Sequence, residues 1–349
     1  MKAKEAVDLL KQMIAIPSLS RDEGAVADML QGYIEKFGYQ VNRCHHNLWI
    51  KSRYWSDEKP TLLLDGHIDT VKPADGWQTD PFTPVEEDGK IIGLGSNDTG
   101  GSVVSLLATF LQLDKTEQPY NLIWLASTEE EVTGEHGIRA VLQALPKIDA
   151  AIVGEPTGMQ PATAERGLLV LDCKATGKAG HAARNEGVNA IYQALPDIEW
   201  FKSYKFPKES EELGAVKMSV TRIQAGSLHN IIPAECTFMV DIRINDCYTN
   251  IEIFDIVQKS VKCEVKARSF KHNSSHIDNN HPLVRRCVEL GLKPFGSPTT
   301  SNQTAMNFPT LKIGPGQSSR SHTANEFIYI SEIEHAIELY VQILNGLKI

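Results

Sequence analysis

The sequence contains few cysteines, and their spacing is not that of a metal-binding or redox motif. Six cysteines are spread over 349 residues, and no CxxC pair occurs among them. This spacing argues against a zinc knot and against a thioredoxin-like site. In a cytoplasmic protein we expect free thiols that are mostly buried. None of the six lies in a nucleophile motif, which argues against a catalytic cysteine. The chemistry of the protein must therefore come from other residue types.

Positive charge and long apolar runs are also scarce. The 35 Lys and Arg residues are outnumbered by 44 Asp and Glu residues, which gives a formal net charge of -9. This balance argues against general binding to nucleic acid or to anionic membranes. The longest apolar stretch, around residues 102–113, is too short to span a bilayer, and residues 1–6 lack the apolar core of a signal peptide. We therefore expect a cytoplasmic protein with neither nucleic acid nor membrane as a partner.

The chain length and the order of patterns predict more than one domain. A chain of 349 residues is long enough for about two domains. Apolar runs typical of buried strands alternate with helical patterns at residues 61–65, 100–113, 121–127, 138–145 and 150–153. This alternation predicts an α/β fold in which a mixed sheet carries helices on both faces.

A different pattern begins near residue 166. Apolar and polar residues alternate over residues 167–176, 217–224 and 235–245. Alternation at a period of two indicates antiparallel strands with one buried face. We therefore predict a discontinuous catalytic domain, 1–165 with 275–349, and an inserted α+β domain over 166–274.

Several candidate ligands follow the predicted strands. They are His67 and Asp69 after the first strand, Asp98 in a glycine-rich turn, Glu129 and Glu130 after the second strand, Glu155 after the third and, late in the chain, His322. Taken singly, each has an ordinary structural explanation, such as a turn aspartate or a solvated run of glutamates. The carboxyl ends of strands in an open α/β sheet converge on one crevice, however. Their shared position therefore predicts a single site.

The types of these side chains indicate a metal centre. Two imidazoles and several carboxylates suit zinc, cobalt or manganese, and they suffice for two ions if one carboxylate bridges. Two ions can together activate a water and polarise a carbonyl. One carboxylate must then stay free as a general base, and Glu129 and Glu130 can supply a base and a ligand. Alternation places Asp69 on the same side as His67, where it can accept the second imidazole N–H.

In order and local sequence, these segments resemble the dinuclear zinc M20 peptidase/deacylase family over nearly the whole chain. The resemblance implies two divalent ions, most simply zinc, with cobalt as the alternative. It implies that His67, Asp98 and Glu155 hold one ion. It also implies that Asp98, Glu130 and His322 hold the other, so that Asp98 bridges. Glu129 would then be the general base and Asp69 the partner of His67. Many relatives have Asp-Met-Lys-Gly where residues 98–101 read Asp-Thr-Gly-Gly, so no lysine role is carried over.

The inserted domain matches the family as well. Residues 177–182 are similar to the motif Gly-x-x-Gly-His-Ser/Ala, whose histidine reaches the substrate carbonyl, often across a dimer. This similarity implies a catalytic role for His181, a lid function and a homodimer through this domain. From the residues alone, His181 is more commonly a turn residue.

Further substrate contacts are implied by the same resemblance. They are Asn230, Arg243, Thr300, Ser301, Gly314 and Gly316. Arg243 matches an arginine that binds the substrate carboxylate, which suits its bidentate geometry, and a structural ion pair is the alternative. Asn302 stands where the family has aspartate, which leaves charge recognition at that position open.

The resemblance implies hydrolysis of the amide bond of a small N-acyl amino acid. Within the family, the compact length and general pattern are closest to acetylornithine deacetylase. This similarity favours N-acetylornithine or N-acetylcitrulline as substrate, in arginine biosynthesis. Desuccinylation of succinyl-diaminopimelate or succinyl-ornithine, and dipeptidase or aminoacylase activity, are alternatives. A metal-binding regulator without activity is a further hypothesis, although no predicted ligand position has been lost.

Overall fold

The computed structural model describes residues 1–184 and 186–349. It divides into two compact units. Unit 1 comprises Met1–Thr163, Ile277–Phe295 and Ser301–Ile349, and unit 2 comprises Ala164–His276 and Gly296–Thr300. The predicted domain boundaries, and the roles of catalytic domain and lid, stay predictions. No helix in the described part of the chain is long and apolar enough to cross a membrane.

The helices are distributed over both units. In the described residues they are α1 (Ala3–Ile14), α2 (Gly24–Glu35), α3 (Gly101–Leu113), α4 (Ile138–Leu142), α5 (Ala190–Ser203), α6 (Asn250–Ser260), α7 (Pro282–Glu289) and α8 (Ile330–Leu344). Short π or 3-10 turns lie at Ser96–Gly100, Ala182–Arg184, Asn302–Ala305 and Ser318–Arg320.

The strands are mostly short. They are β1 (Asn42–Cys44), β2 (Asn47–Lys51), β3 (Thr61–His67), β4 (Val85–Glu87), β5 (Lys90–Ile92), β6 (Asn121–Ser127), β7 (Ala150–Val153), β8 (Ala162–Glu165), β9 (Gly167–Thr176), β10 (Gly180–His181), β11 (Lys217–Ala225), β12 (Ile231–Ile232), β13 (Glu235–Ile244), β14 (Glu264–Ala267), β15 (Ser275–His276), β16 (Phe295–Ser297), β17 (Thr310–Lys312) and β18 (Phe327–Tyr329).

The main sheet of unit 1 is mixed, as predicted. Its strand order is β1-β2-β6-β3-β7-β17-β8. The four central strands β6, β3, β7 and β17 are parallel, whereas β1, β2 and β8 pair antiparallel. Strands β3 and β6 are buried along their whole length, which explains why their sequences are continuous apolar runs.

Helices cover both faces of this sheet, which confirms the predicted class. Leu62 and Leu64 point into the larger core, where α1, α3 and α8 pack together. Leu63 lies between them in sequence and packs in a separate cluster with Val141 of α4. The opposite directions of these leucines follow from the two-residue period of a strand.

The parallel register brings the predicted site together. His67 at the end of β3 is opposite Ser127 at the end of β6, and Asp65 is opposite Val153 at the end of β7. Three loops therefore leave the sheet at the same edge. The π turn Ser96–Gly100 leads into α3 and meets them there, because α3 packs directly on β3.

Unit 2 has the predicted α+β composition. Its antiparallel sheet has the order β11-β13-β9-β14, and α5 and α6 pack against it. Buried residues alternate along β9 and β13, and Leu171, Phe201 and Phe238 contribute to one core. This pattern is that of a sheet with one covered face.

A matched pair of substitutions on α7 tests the core of unit 1. Val284 is buried in the larger core, whereas Val288, one turn later, is 51% exposed. We expect Val284→Ala to reduce the free energy of unfolding by about 1–3 kcal/mol, because it removes two buried carbon groups and leaves a cavity. Val288→Ala should change it by less than about 0.5 kcal/mol. Urea denaturation of both variants measures the difference, and equal losses would contradict the placement of α7.

Candidate metal centre

Two groups of ligand atoms lie at the sheet edge of unit 1. The first consists of His67, Asp98 and Glu155, whose nitrogen and oxygen atoms all lie within 4.8 Å of one another. His67 Nε2 is 3.3 Å from Asp98 Oδ1. Glu155 follows β7 by two residues, and His67 ends β3. This group is the one that the sequence predicted for one ion.

The second group consists of Asp98, Glu131 and His322, again within 4.8 Å. His322 Nε2 is 3.0 Å from Glu131 Oε1 and 3.6 Å from Asp98 Oδ2. Asp98 therefore belongs to both groups and turns one oxygen toward each imidazole. The sequence placed Glu130 in this group, and the structure places Glu131 there instead.

Glu130 lies between the histidine of the first group and the glutamate of the second. Its carboxylate forms a third group with His67 and Glu131, within the same 4.8 Å limit. It is thus close to the candidate ligands but is not grouped with His322.

Glu129 belongs to none of the three ligand groups found in the described residues. Its backbone is left-handed, with φ of 55°. Its side chain is buried, and Oε2 accepts a hydrogen bond from the backbone N–H of His136 at 3.2 Å. It lines a cleft of about 590 Å³ together with residues such as His45. Glu129 therefore lies outside the candidate ligand groups, and its predicted role as the base stays a prediction.

Asp69 connects two of the ligand-bearing loops. Its carboxylate accepts the backbone N–H groups of Glu130 at 3.0 Å and Glu131 at 3.1 Å, and the hydroxyl of Ser20 at 2.8 Å. His67 Nδ1 lies 2.9 Å from the Asp69 carbonyl oxygen and 3.4 Å from its Oδ1. The shorter contact is to the backbone carbonyl and not to the carboxylate that the sequence predicted as the partner of His67, so that role of the carboxylate stays a prediction. The Asp69 carboxylate does hold the backbone of the two glutamates.

Negative charge exceeds positive charge in this cluster. Burial and the neighbouring carboxylates Glu131, Asp69 and Asp98 raise the pKa of Glu130 to about 8, although His67 opposes the shift. Burial, Asp98 and Glu130 likewise raise the pKa of Glu155 well above its ordinary value. The two imidazoles therefore do not neutralise the site, and divalent cations would supply the missing charge.

The two histidines are held near carboxylates. Burial opposes charge on His67, but Asp69 and Asp98 outweigh it and raise the pKa of the imidazole well above its ordinary value. The hydrogen bond to Glu131 raises the pKa of His322 to about 9. Two imidazole nitrogens and three carboxylates in two groups around a shared aspartate are donors that fit two divalent transition-metal ions.

Two buried carboxylates near this cluster were missed by the sequence reasoning. Glu23 Oε1 accepts the backbone N–H groups of Arg21 at 2.8 Å and Glu129 at 3.2 Å. Glu326 accepts three N–H groups of the loop that carries Asp98. No periodic pattern points to either residue, because each acts on backbone that is distant in sequence.

The predicted substrate residues of unit 1 have structural environments of their own. A Cβ on Gly314 would lie 2.5 Å from the carbonyl oxygen of Glu155, and Gly316 has a left-handed φ of 86°. Ser301 is buried and caps a 3-10 turn through Gln303. The roles of these residues in substrate binding stay predictions.

Asn302 is buried and faces the sheet of unit 1. Its Nδ2 donates to Asp65 Oδ2 and to Ser127 Oγ, both at 2.9 Å. This amide therefore links β3 to β6. Aspartate at this position would lack the donor that these contacts need.

The predicted substrate residues of unit 2 are partly or fully exposed. His181 Nδ1 accepts the backbone N–H of Ala183 at 3.2 Å, so the neutral imidazole carries its proton on Nε2. Arg243 donates to both carboxylate oxygens of Asp241, at 2.8 and 3.0 Å, which is the ion pair given as the alternative. The substrate roles of His181, Asn230, Arg243 and Thr300 stay predictions.

Comparison with known proteins places these groups in context. Residues 63–346 match the profile of "Peptidase family M20/M25/M40". Acetylornithine deacetylase of Proteus mirabilis (strain HI4320) is 28% identical over 375 residues, covering 97% of this chain and 96% of that protein. The acetylornithine deacetylase of Yersinia pestis is also 28% identical, over 386 residues that cover 99% of this chain and 98% of that protein.

Solved structures share the fold at lower identity. A tripeptidase from Staphylococcus aureus superposes with a TM-score of 0.78 and 20% identity, covering 99% of this chain and 98% of that one. A dinuclear metal binding peptidase of the M20 family from Bacillus subtilis superposes with a TM-score of 0.76 and 14% identity, covering 98% and 97%.

The placement of the adjacent glutamates predicts their effects on metal binding. We expect Glu131→Gln to weaken the binding of zinc, because it removes a charged oxygen from the group around His322. Loss of an outer-shell partner of a metal ligand typically costs about 10–100-fold in affinity, and loss of a ligand should cost at least that much. Glu129→Gln is the matched control and should bind zinc as the parent does. Competition with a chelating dye measures both affinities, and a larger loss in the Glu129 variant would contradict the placement.

Proposed function

Because the chain belongs to peptidase family M20/M25/M40, and is thus a metal-dependent amide hydrolase, we propose that it deacylates an N-acyl amino acid. The proposed substrate is N-acetylornithine, with N-acetylcitrulline as the variant of the same chemistry. The observation that carries this proposal is the similarity to acetylornithine deacetylases over 97% or more of the chain. The reaction would serve arginine biosynthesis in the cytoplasm.

The proposed cofactor is a pair of divalent ions, zinc or alternatively cobalt. His67, Asp98 and Glu155 would hold one ion, and Asp98, Glu131 and His322 the other. When bound, such ions polarise an amide carbonyl and lower the pKa of a water. Compared with the sequence prediction, Glu131 replaces Glu130 as a ligand.

We assign the general base to Glu130. Its carboxylate shares a ligand group with His67 and with Glu131, and burial raises its pKa, which supports a role in accepting a proton. Glu130 takes a proton from the attacking water, whose oxygen forms the new bond to the acyl carbon. The same carboxyl then delivers the proton to the amine nitrogen as the carbon–nitrogen bond breaks.

Residues of unit 2 are proposed to bind the substrate. The Nε2–H of His181 would donate to the oxygen that becomes negative in the transition state. Arg243 would bind the substrate carboxylate, in exchange for its present contact with Asp241. Asn230, Thr300, Ser301 and the backbone at Gly314 and Gly316 complete the proposed contacts. A homodimer through unit 2 is part of the same proposal.

Conservative substitutions of neighbouring glutamates test the general base. We expect Glu130→Gln to lower kcat by more than about 100-fold while retaining zinc, since the amide cannot accept the proton. Glu129→Gln should keep kcat within a few-fold, because that side chain faces the cleft near His136. Steady-state kinetics with metal analysis of each variant would distinguish the two glutamates as candidates for the base. A larger loss of kcat in the Glu129 variant than in the Glu130 variant would assign the base to Glu129.

A substrate panel tests the acyl group and the amino acid. It contains acetyl-ornithine, acetyl-citrulline, acetyl-lysine, their succinyl analogues and a set of dipeptides, each with zinc or cobalt. We expect the highest kcat/KM for acetyl-ornithine. Preference for succinyl compounds would identify a desuccinylase, and preference for dipeptides a peptidase. Failure to hydrolyse any of them with metal bound would favour a regulator.

A further inference from the structure

Glu326 is a buried carboxylate that lies four residues after His322. It is 2% exposed. Its Oε1 accepts the backbone N–H groups of Asn97 at 2.8 Å and Asp98 at 2.9 Å, and its Oε2 accepts that of Gly95 at 3.1 Å. Its own carbonyl oxygen accepts the N–H of Gly93 at 3.0 Å. One residue thus makes four hydrogen bonds to the segment 93–98.

The arrangement of these N–H groups requires an acceptor. Gly95 is left-handed, with φ of 74°, and the π turn starts at Ser96, so the first N–H groups lack partners within the turn. Successive N–H groups in such a bend converge on one point and favour negative charge. Both oxygens of Glu326 accept N–H groups here, whereas the amide of glutamine would put a donor in place of one of these acceptors. Glutamate therefore suits this position better than its closest analogue.

The loop held by Glu326 carries the aspartate that both ligand groups share. The Asp98 N–H is itself one of the three that the carboxylate accepts. The same loop is tied to the segment before His322, because the Asn97 side chain bonds the backbone of Gln317 in both directions, at 2.9 and 3.1 Å. Glu326 and Asn97 together hold the loop of Asp98 near His322. The distance from Asp98 Oδ2 to His322 Nε2 is 3.6 Å.

We propose that Glu326 is a positioning residue of the metal centre. It fixes the backbone of Asp98 so that one carboxylate oxygen of Asp98 faces His67 and the other faces His322. Glu326 is in none of the ligand groups found among the residues described, so it acts through Asp98 and not on the ions. This inference rests on the proposed two-metal centre.

The test is the cobalt affinity and the cobalt absorption spectrum of Glu326→Gln. This substitution preserves shape and replaces one acceptor oxygen with a donor. We expect cobalt to bind about 10–100-fold more weakly, as for other outer-shell partners of metal ligands, and the visible spectrum to change in shape. With substrate, kcat should fall more than KM rises, because the defect lies at the centre and not in substrate contacts.

Asp114→Asn is the matched control. Asp114 is also buried, and it accepts the N–H of Arg53 at 2.9 Å and the hydroxyl of Tyr39, but it lies at the opposite end of α3 from Asp98. This variant should lose stability and keep the parent's cobalt affinity and spectrum. If Glu326→Gln kept both, or if both variants lost affinity equally, the positioning role would be overturned. A parent protein that bound no cobalt would overturn the metal centre itself, and the inference with it.

Discussion

Burial of several carboxylates beside one another is unfavourable, and the ligand cluster of unit 1 is built around that constraint. Asp98 lies between two imidazoles, while the pKa values of Glu130 and Glu155 are raised by burial and by their neighbours. The cluster persists because the strand ends that carry it are anchored in a large apolar core. Its excess negative charge is the physical reason for expecting cations.

Buried carboxylates also accept backbone hydrogen bonds from the loops that carry the candidate ligands. Asp69 holds the N–H groups of Glu130 and Glu131, and Glu326 holds those of the loop around Asp98. Each of these acceptors spans a long distance in sequence, which turns flexible loops into a fixed arrangement. Loops are in general more mobile than the strands and helices they connect, so these contacts are a means of orienting the candidate ligands.

Much of the fold was predictable because its signals are local. The continuous apolar run of β3 indicates a strand buried on both faces, and the alternation along β9 indicates a strand buried on one face. The structure confirms both kinds of strand. For the first ligand group, strand order predicted only that the loops after β3 and β7 share one edge, and the family resemblance implied the ligand set itself. The role of Asn302 was not, because its partners Asp65 and Ser127 lie more than 170 residues away in sequence.

The sequence by itself determined the ligand types, their order after the strands and the family to which the chain belongs. Only the tertiary structure decided which of three adjacent glutamates faces which partner. Identical side chains in a row carry no pattern, whereas the structure leaves Glu129 out of the ligand groups found in the described residues and bonds its Oε2 to the backbone of His136. Glu326 was likewise visible only in three dimensions. The reason is the same in both cases. The direction of a loop side chain and its hydrogen bonds to residues distant in sequence depend on how loops fold against one another, and the periodicity of the sequence does not encode this.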